Sequence, residues 1–293
     1  MRRYVALLSA FVALVATTLP LLGRGAQSAA SSVVVGKVDG SFQPKKGKIF
    51  VLVIGNDARA GNPDRALADA IHLVGINTTT MKGGILNFPR DSWVTIPGSG
   101  SARINEALIR GGPALVADTV RSLTGIRPDL WVMVGFEDFQ DIIKDLGPVT
   151  MDIERPIQDP YGSGANLKAG RQPLGATKAL AFVRTRKVFS GGDVTRTTNH
   201  GRFLIALLRK LRGDVDAKPA SLLKWLAATR EHARLNVSSD ELYRLGVLAS
   251  QVKPGDIGNV TVPVRLGMVG SASVVFIQNA APIYKRFRTT ATL

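Results

Sequence analysis

The sequence predicts an α/β fold, one three-layer α-β-α sandwich domain around a mixed central sheet. Three observations lead there. Residues 49–54, Ile-Phe-Val-Leu-Val-Ile, form a continuous apolar run ended by Gly55, the pattern of a strand buried on both faces. Strand-like and helix-like segments then alternate along the chain, which layers helices on both faces of a sheet. Of the 293 residues, 45% are apolar, enough to close one core over residues 48–293.

In chain order, further strands are expected at 70–76, 84–88, 93–96, 131–134, 149–153, 259–264 and 274–277. Helices are expected at 114–123, 136–146, 178–183, 195–212, 220–234 and 239–252. Phe136, Phe139, Ile142, Ile143 and Leu146 make one apolar stripe, and Gly147-Pro148 stops that helix. Ser238 and Glu241 have capping-box spacing, which opens the last of these helices.

The N-terminus reads differently. Arg2 and Arg3 precede an uncharged stretch over residues 4–22, about long enough to span a bilayer. Residues 1–30 are therefore expected to be a membrane anchor with the body outside, or a signal peptide cleaved near Ser28-Ala29-Ala30. Residues 31–47, with Pro44 and Lys45-Lys46, are expected as a linker.

Composition excludes several chemistries. There are no cysteines, hence no disulfide scaffold, thiol nucleophile or Cys-ligated zinc. His72, His200 and His232 are the only histidines, and none forms an H-x-x-x-H pair. Lys and Arg number 38 against 22 Asp and Glu, a net charge of +16. Such a surplus suits anionic partners. On an exported chain it points to anionic envelope material; no nucleic acid is expected, since neither a helix-turn-helix nor an RNA-binding signature is present.

Acids and arginines recur at the ends of the expected strands. Asp57 and Arg59 follow the first strand, where open α/β sheets bind ligands. Asp69 precedes the second; with Asp57 it offers two hard carboxylates for a cation that phosphates complete. Arg90-Asp91, then Arg103 and Asn105, follow later strands. Arg184 and Arg186, two residues apart, suit a bidentate clamp on phosphate oxygens, and Asp193 and Arg196 come next. Asp57, Asp91 and Asp193 all remain candidate general bases.

Taken in order, Gly55-x-Asp57-x-Arg59, Asp69, Pro89-Arg90-Asp91, Arg103-Ile104-Asn105, Leu123-Thr124-Gly125, Ala179-Leu180 with Arg184-x-Arg186, and Asp193-x-x-Arg196 resemble the LytR–CpsA–Psr (LCP) family of envelope enzymes. The resemblance implies an LCP catalytic domain over 48–293 with an apolar lipid tunnel. It implies a phosphotransferase that moves a glycopolymer from a polyprenyl-pyrophosphate carrier onto a peptidoglycan sugar hydroxyl at the membrane. Asp57 and Asp69 would hold Mg²⁺ or Mn²⁺. Asp57, Arg90, Asp91, Arg184 and Arg186 would carry the catalysis. Arg59, Arg90, Arg103, Asn105, Arg184, Arg186, Asp193, Arg196 and His200 would contact the pyrophosphate. His200 stands where the family commonly has Gln, a difference expected to tune the site. Hydrolysis of the same carrier, and non-catalytic binding of envelope polymer or of nucleic acid, remain alternatives.

Overall fold

A computed structural model of the chain describes residues 33–37, 47–56, 58, 66–235 and 237–293. The segment 4–22, Asp57 and Arg59 lie outside the described residues. No described helix is long and apolar enough to cross a membrane.

The centre is a seven-stranded mixed sheet built from β1 (Val33–Lys37), β2 (Lys48–Asn56), β3 (Ala68–Asn77), β4 (Lys82–Phe88), β7 (Leu130–Val134), β12 (Ala233–Leu235) and β13 (Ile257–Thr261). Their spatial order is β12-β1-β7-β2-β3-β4-β13. β2 pairs parallel with β7 and antiparallel with β3. Helices α1 (Glu106–Thr124), α2 (Phe136–Leu146), α3 (Ala176–Arg184), α4 (Gly192–Ala217), α5 (Ser221–Glu231), α6 (Ser239–Gln251) and α7 (Ala281–Thr290) complete the described helices. Small antiparallel pairs join β5 (Trp93–Ile96) to β6 (Gly100–Arg103), β8 (Val149–Ile153) to β11 (Gly170–Leu174), β9 (Ile157–Asp159) to β10 (Ala165–Leu167), and β14 (Val264–Val269) to β15 (Ala272–Ile277).

The period-2 alternation of the strands assigns the two faces. Leu52, Ile54, Ile71, Leu73, Leu86 and Phe88 pack into one core with Val116 and Val120 of α1 and Tyr284 and Phe287 of α7. Val53, Gly55, Ala70 and His72 face the other way, toward α2, α3 and α4. Phe287 seals the first core. Its ring meets Phe50 edge-on at 5.4 Å, over Gly75, where a Cβ would come within 2.7 Å of it.

Several expected boundaries shift for identifiable reasons. Residues 31–47 are not only a linker: Val33–Lys37 is a strand inside the sheet, where three consecutive valines favour extended backbone. The strand expected at 259–264 is two strands, because Pro263 cannot donate to a ladder. The helix expected at 220–234 ends at Glu231, and Ala233–Leu235 pairs with β1 instead. α1 starts eight residues before its expected start, at Glu106, with a kink at Gly111-Gly112 ahead of Pro113. The Ser238–Glu241 capping box forms, with Glu241 N–H donating to Ser238 Oγ and Ser238 N–H to Glu241 Oε2.

Phe287→Ala is expected to lower the unfolding free energy by about 3–5 kcal/mol, the usual cost of emptying a buried aromatic site. The urea midpoint reads it. A loss well under 1 kcal/mol would mean that α7 does not seal the core.

Candidate functional site

The site lies where β3, β4 and the two helices α3 and α4 converge. Asp69 is the second residue of β3, just past a register shift at Gly55/Asn56 in the β2–β3 ladder. Arg90 sits in the turn after β4. That turn is pinned by Ser92, whose N–H and Oγ–H both donate to Pro89 O. Asn105 N–H donates to Arg90 O, and Asn105 O accepts from Ala68 N–H, so Asn105 ties the Arg90 turn to the start of β3.

Arg90 is the hub. Its Nη1 donates to Asp69 Oδ1 at 2.5 Å, and its Nε lies 3.3 Å from Asp193 Oδ1 and 3.8 Å from Asp91 Oδ2. Arg196 Nη2 lies 2.6 Å from the same Asp193 oxygen. The Asp193 contacts are ionic rather than hydrogen-bonded, because neither carboxylate oxygen receives an aligned N–H. Arg103 Nε lies 3.7 Å from Asp91 Oδ1, and its Nη2 donates to Ser273 O. Burial opposes charge on Arg90, yet the carboxylates of Asp69, Asp193 and Asp91 outweigh it and raise its pKa. Burial raises the Asp193 carboxyl despite Arg196 and Arg90 beside it. Burial lowers Arg196, with Asp193 opposing.

Arg184 closes α3, one extended residue separates it from Arg186, and neither has an acidic partner among the described residues. Thr185, between them, is buried; its Oγ1 donates to Ala181 O and accepts from Ser163 Oγ. That bond docks the loop from Asp159 to Ser163 against the arginine pair. Within the loop, Ser163 N–H donates to Asp159 Oδ2.

Two cavities meet here. A polar cleft of about 290 Å³ is lined by Asp69, Arg90, Asp159, Tyr161, Arg184, Arg186, Lys187 and Arg196, among others. An apolar cavity of about 180 Å³ runs between the sheet and α2, α3 and α4, along Val53, Ala70, Phe139, Ile143, Leu180 and Phe203. Asp69, Phe136, Arg184 and Arg196 line both. The Arg184 guanidinium stands 5.1 Å above the Phe136 ring. The whole is shaped for an amphiphile with an anionic head.

Of the residues singled out from the sequence, Asp69, Arg90, Arg184, Arg186 and Arg196 come together on the cleft. Asp193 lies behind it in the ion network. Asp91, Arg103 and Asn105 flank that network without lining the cleft. His200 lies in the wall of the apolar cavity, its Nε2 2.5 Å from Val183 O and its Nδ1 3.3 Å from His72 Nε2. Asp57 and Arg59 are outside the described residues. Sequence reasoning missed His72, Phe136, Lys187 and the loop from Asp159 to Ser163. The Asp159-Pro160-Tyr161-Gly162 turn signal was the one available cue to that loop.

A family model, the LytR_cpsA_psr family, matches residues 21–291. The chain belongs to this family. Among curated family relatives, Bacillus subtilis "Polyisoprenyl-teichoic acid--peptidoglycan teichoic acid transferase TagT" is 35% identical over 178 residues, covering 58% of this chain and 54% of TagT. Corynebacterium glutamicum "Probable cell wall biosynthesis protein LcpB" is 31% identical over 170 residues, 54% of this chain and 40% of LcpB. The chain thus spans about half of these relatives' length. A solved structure of the LytR-CPS2A-psr family protein YwtF (TagT) with bound octaprenyl pyrophosphate lipid has a TM-score of 0.66 at 21% identity, covering 92% of this chain and 99% of that one. The LCP fold is therefore shared along nearly the whole chain.

The site also carries a pH signature. Burial pushes His72 from 6.5 down to about 4, against its hydrogen bond to Asn87 and with help from Arg196. Burial lowers His200 as well, with His72 and Arg196 adding to it. Unfolded imidazoles take up protons near pH 6.5 while the folded pair does not, so stability is full above that pH and falls as pH drops toward 4. Urea midpoints at pH 7 and pH 5 are expected to show the decline, shallower in His72→Gln. An equal slope in both proteins would remove His72 as its source.

Proposed function

We propose that this chain is an envelope phosphotransferase. It joins a glycopolymer, delivered on a polyprenyl-pyrophosphate carrier, to a peptidoglycan sugar hydroxyl and releases polyprenyl phosphate. The observation that carries the reading is the cationic cleft continuous with an apolar cavity through Asp69, Phe136, Arg184 and Arg196. A pyrophosphate head suits the first and a prenyl chain the second. The name of TagT and the octaprenyl pyrophosphate bound in the solved YwtF structure agree with this chemistry.

Phosphoryl transfer needs positioning and charge neutralisation more than a covalent nucleophile. Arg184, Arg186 and Lys187 bring cations to the cleft, and Arg90 and Arg196 hold its floor. The acceptor oxygen attacks the phosphorus that bears the glycan, and the bridging P–O bond to the prenyl phosphate breaks. Guanidinium forks neutralise the charge that builds on the leaving phosphate. Asp91 and Asp193 are both held by arginines off the cleft, which weakens their claim as general bases.

A divalent cation fits the donor set. Asp69 puts a hard carboxylate on the cleft, and Mg²⁺ is commonly held by one or two carboxylates plus substrate phosphates. Asp69, with Asp57, would hold Mg²⁺ or Mn²⁺, which supplies charge neutralisation at the pyrophosphate. The apolar residues 4–22, behind Arg2 and Arg3, would keep the domain at the outer membrane face, beside its lipid substrate.

With purified full-length protein, a polyprenyl-pyrophosphate glycan and peptidoglycan, Arg184→Ala is expected to lower kcat/KM about a hundredfold or more with an unchanged melting midpoint. Unaltered turnover in that variant would defeat the assignment of the cleft. Chelation by EDTA is expected to stop transfer, and added Mg²⁺ to restore it. Free glycan released at the same rate without acceptor would make the protein a hydrolase instead.

A further inference from the structure

Behind the arginines runs a chain of polar side chains, His72 and Asn87 buried and Asn259 and His200 half-buried, that no step above uses. Asn259 Nδ2 donates to Thr198 O at 3.1 Å. Asn87 Nδ2 donates to Asn259 Oδ1 at 2.8 Å. Asn87 Oδ1 lies 2.7 Å from His72 Nδ1, His72 Nε2 lies 3.3 Å from His200 Nδ1, and His200 Nε2 lies 2.5 Å from Val183 O. The members come from β3, β4, α4, β13 and the end of α3.

Each member is close in sequence to a residue of the ion network or cleft. His72 is three residues after Asp69. Asn87 is three before Arg90. His200 is one helical turn after Arg196. Val183 immediately precedes Arg184. Space for the chain is provided on α4 by Gly201, where a Cβ would collide with Asn259 Oδ1.

Counting protons fixes how the chain is wired. Both ends are backbone carbonyls, which only accept, so five links require five protons. Two amides and two neutral imidazoles supply one each along the chain, four in all. One link is therefore empty, and the longest, the 3.3 Å contact between the rings, is the one that fits. This sets His72 as the Nδ1–H tautomer, donating to Asn87, and His200 as the Nε2–H tautomer, donating to Val183 O. Burial of both rings keeps them neutral.

We propose that His72 and His200 are positioning residues that hold Arg90, Arg184 and Arg196 in register for a pyrophosphate. His200 acts chiefly through Val183, by fixing the last turn of α3 from which Arg184 projects. His72 braces β3 against β4, the strands that lead to Asp69 and Arg90. This rests on the phosphotransferase reading of the cleft and names what keeps its cations in place.

The test uses the full-length protein and two readouts. Long-range ¹⁵N–¹H spectra of the wild type near pH 7 are expected to show His72 protonated on Nδ1 and His200 on Nε2. A His200 proton on Nδ1 overturns the wiring, and no variant has to fold for that result. Calorimetric titration with farnesyl pyrophosphate then tests the role. His200→Leu, which cannot donate to Val183 O, is expected to weaken binding about tenfold. His200→Gln, whose amide can, is expected to recover most of it, a rescue that a merely space-filling histidine does not predict. Equal binding by wild type and His200→Leu overturns the positioning role alone. No binding by the wild type overturns the reading of the cleft as well, while the tautomers still report on the wiring.

Discussion

Arginines cannot be brought together under a protein surface unless carboxylates stand between them. Here Asp69 and Asp193 do that work for Arg90 and Arg196, and Asp91 bridges Arg90 to Arg103. A half-buried guanidinium without such a partner loses its hydration for nothing. Three acids against three arginines leave the network close to neutral. The charge left unneutralised on the cleft is then that of Arg184, Arg186 and Lys187. The site separates cations neutralised inside the network from cations without an acidic partner among the described residues.

That separation depends on register. Along β2, Leu52 and Ile54 point to the sealed core, while Val53 and Gly55 border the open cavity. β3 repeats this with Ile71 and Leu73 against Ala70 and His72. A slip of one residue would exchange these sets, burying His72 among α1 and α7 and turning leucines onto the imidazole chain. The dense apolar packing around Phe287 and Gly75 makes that exchange costly. The core on one face thus fixes the polar constellation on the other.

The sequence revealed most where local signals agree. Strand 93–96 and helix 136–146 match to the residue, because turn residues, apolar periodicity and Gly147-Pro148 all mark the same limits. The cleft residues Asp69, Arg90, Arg184, Arg186 and Arg196 stood out because charged residues at the ends of apolar segments interrupt a visible pattern. His72 was hidden for the opposite reason: it sits inside an apolar strand, and only tertiary contact with Asn87 and His200 gives it a partner. The loop from Asp159 to Ser163 has no periodicity, and its link to Thr185 spans 22 residues. β1 was concealed by the Gly, Ser and Lys around its valines.

The placement of β1 also bears on how the protein comes to be folded. Val33 pairs with Ala233, and Val34 with Met133, so the first described strand in chain order waits for two of the later ones. Until they arrive, a run of valines has no ladder on either side, the kind of edge that invites pairing with a neighbouring chain. Delivery of residues 233–235 then covers the side of β1 away from β7, and a chain halted before it would leave that side of the valine strand open.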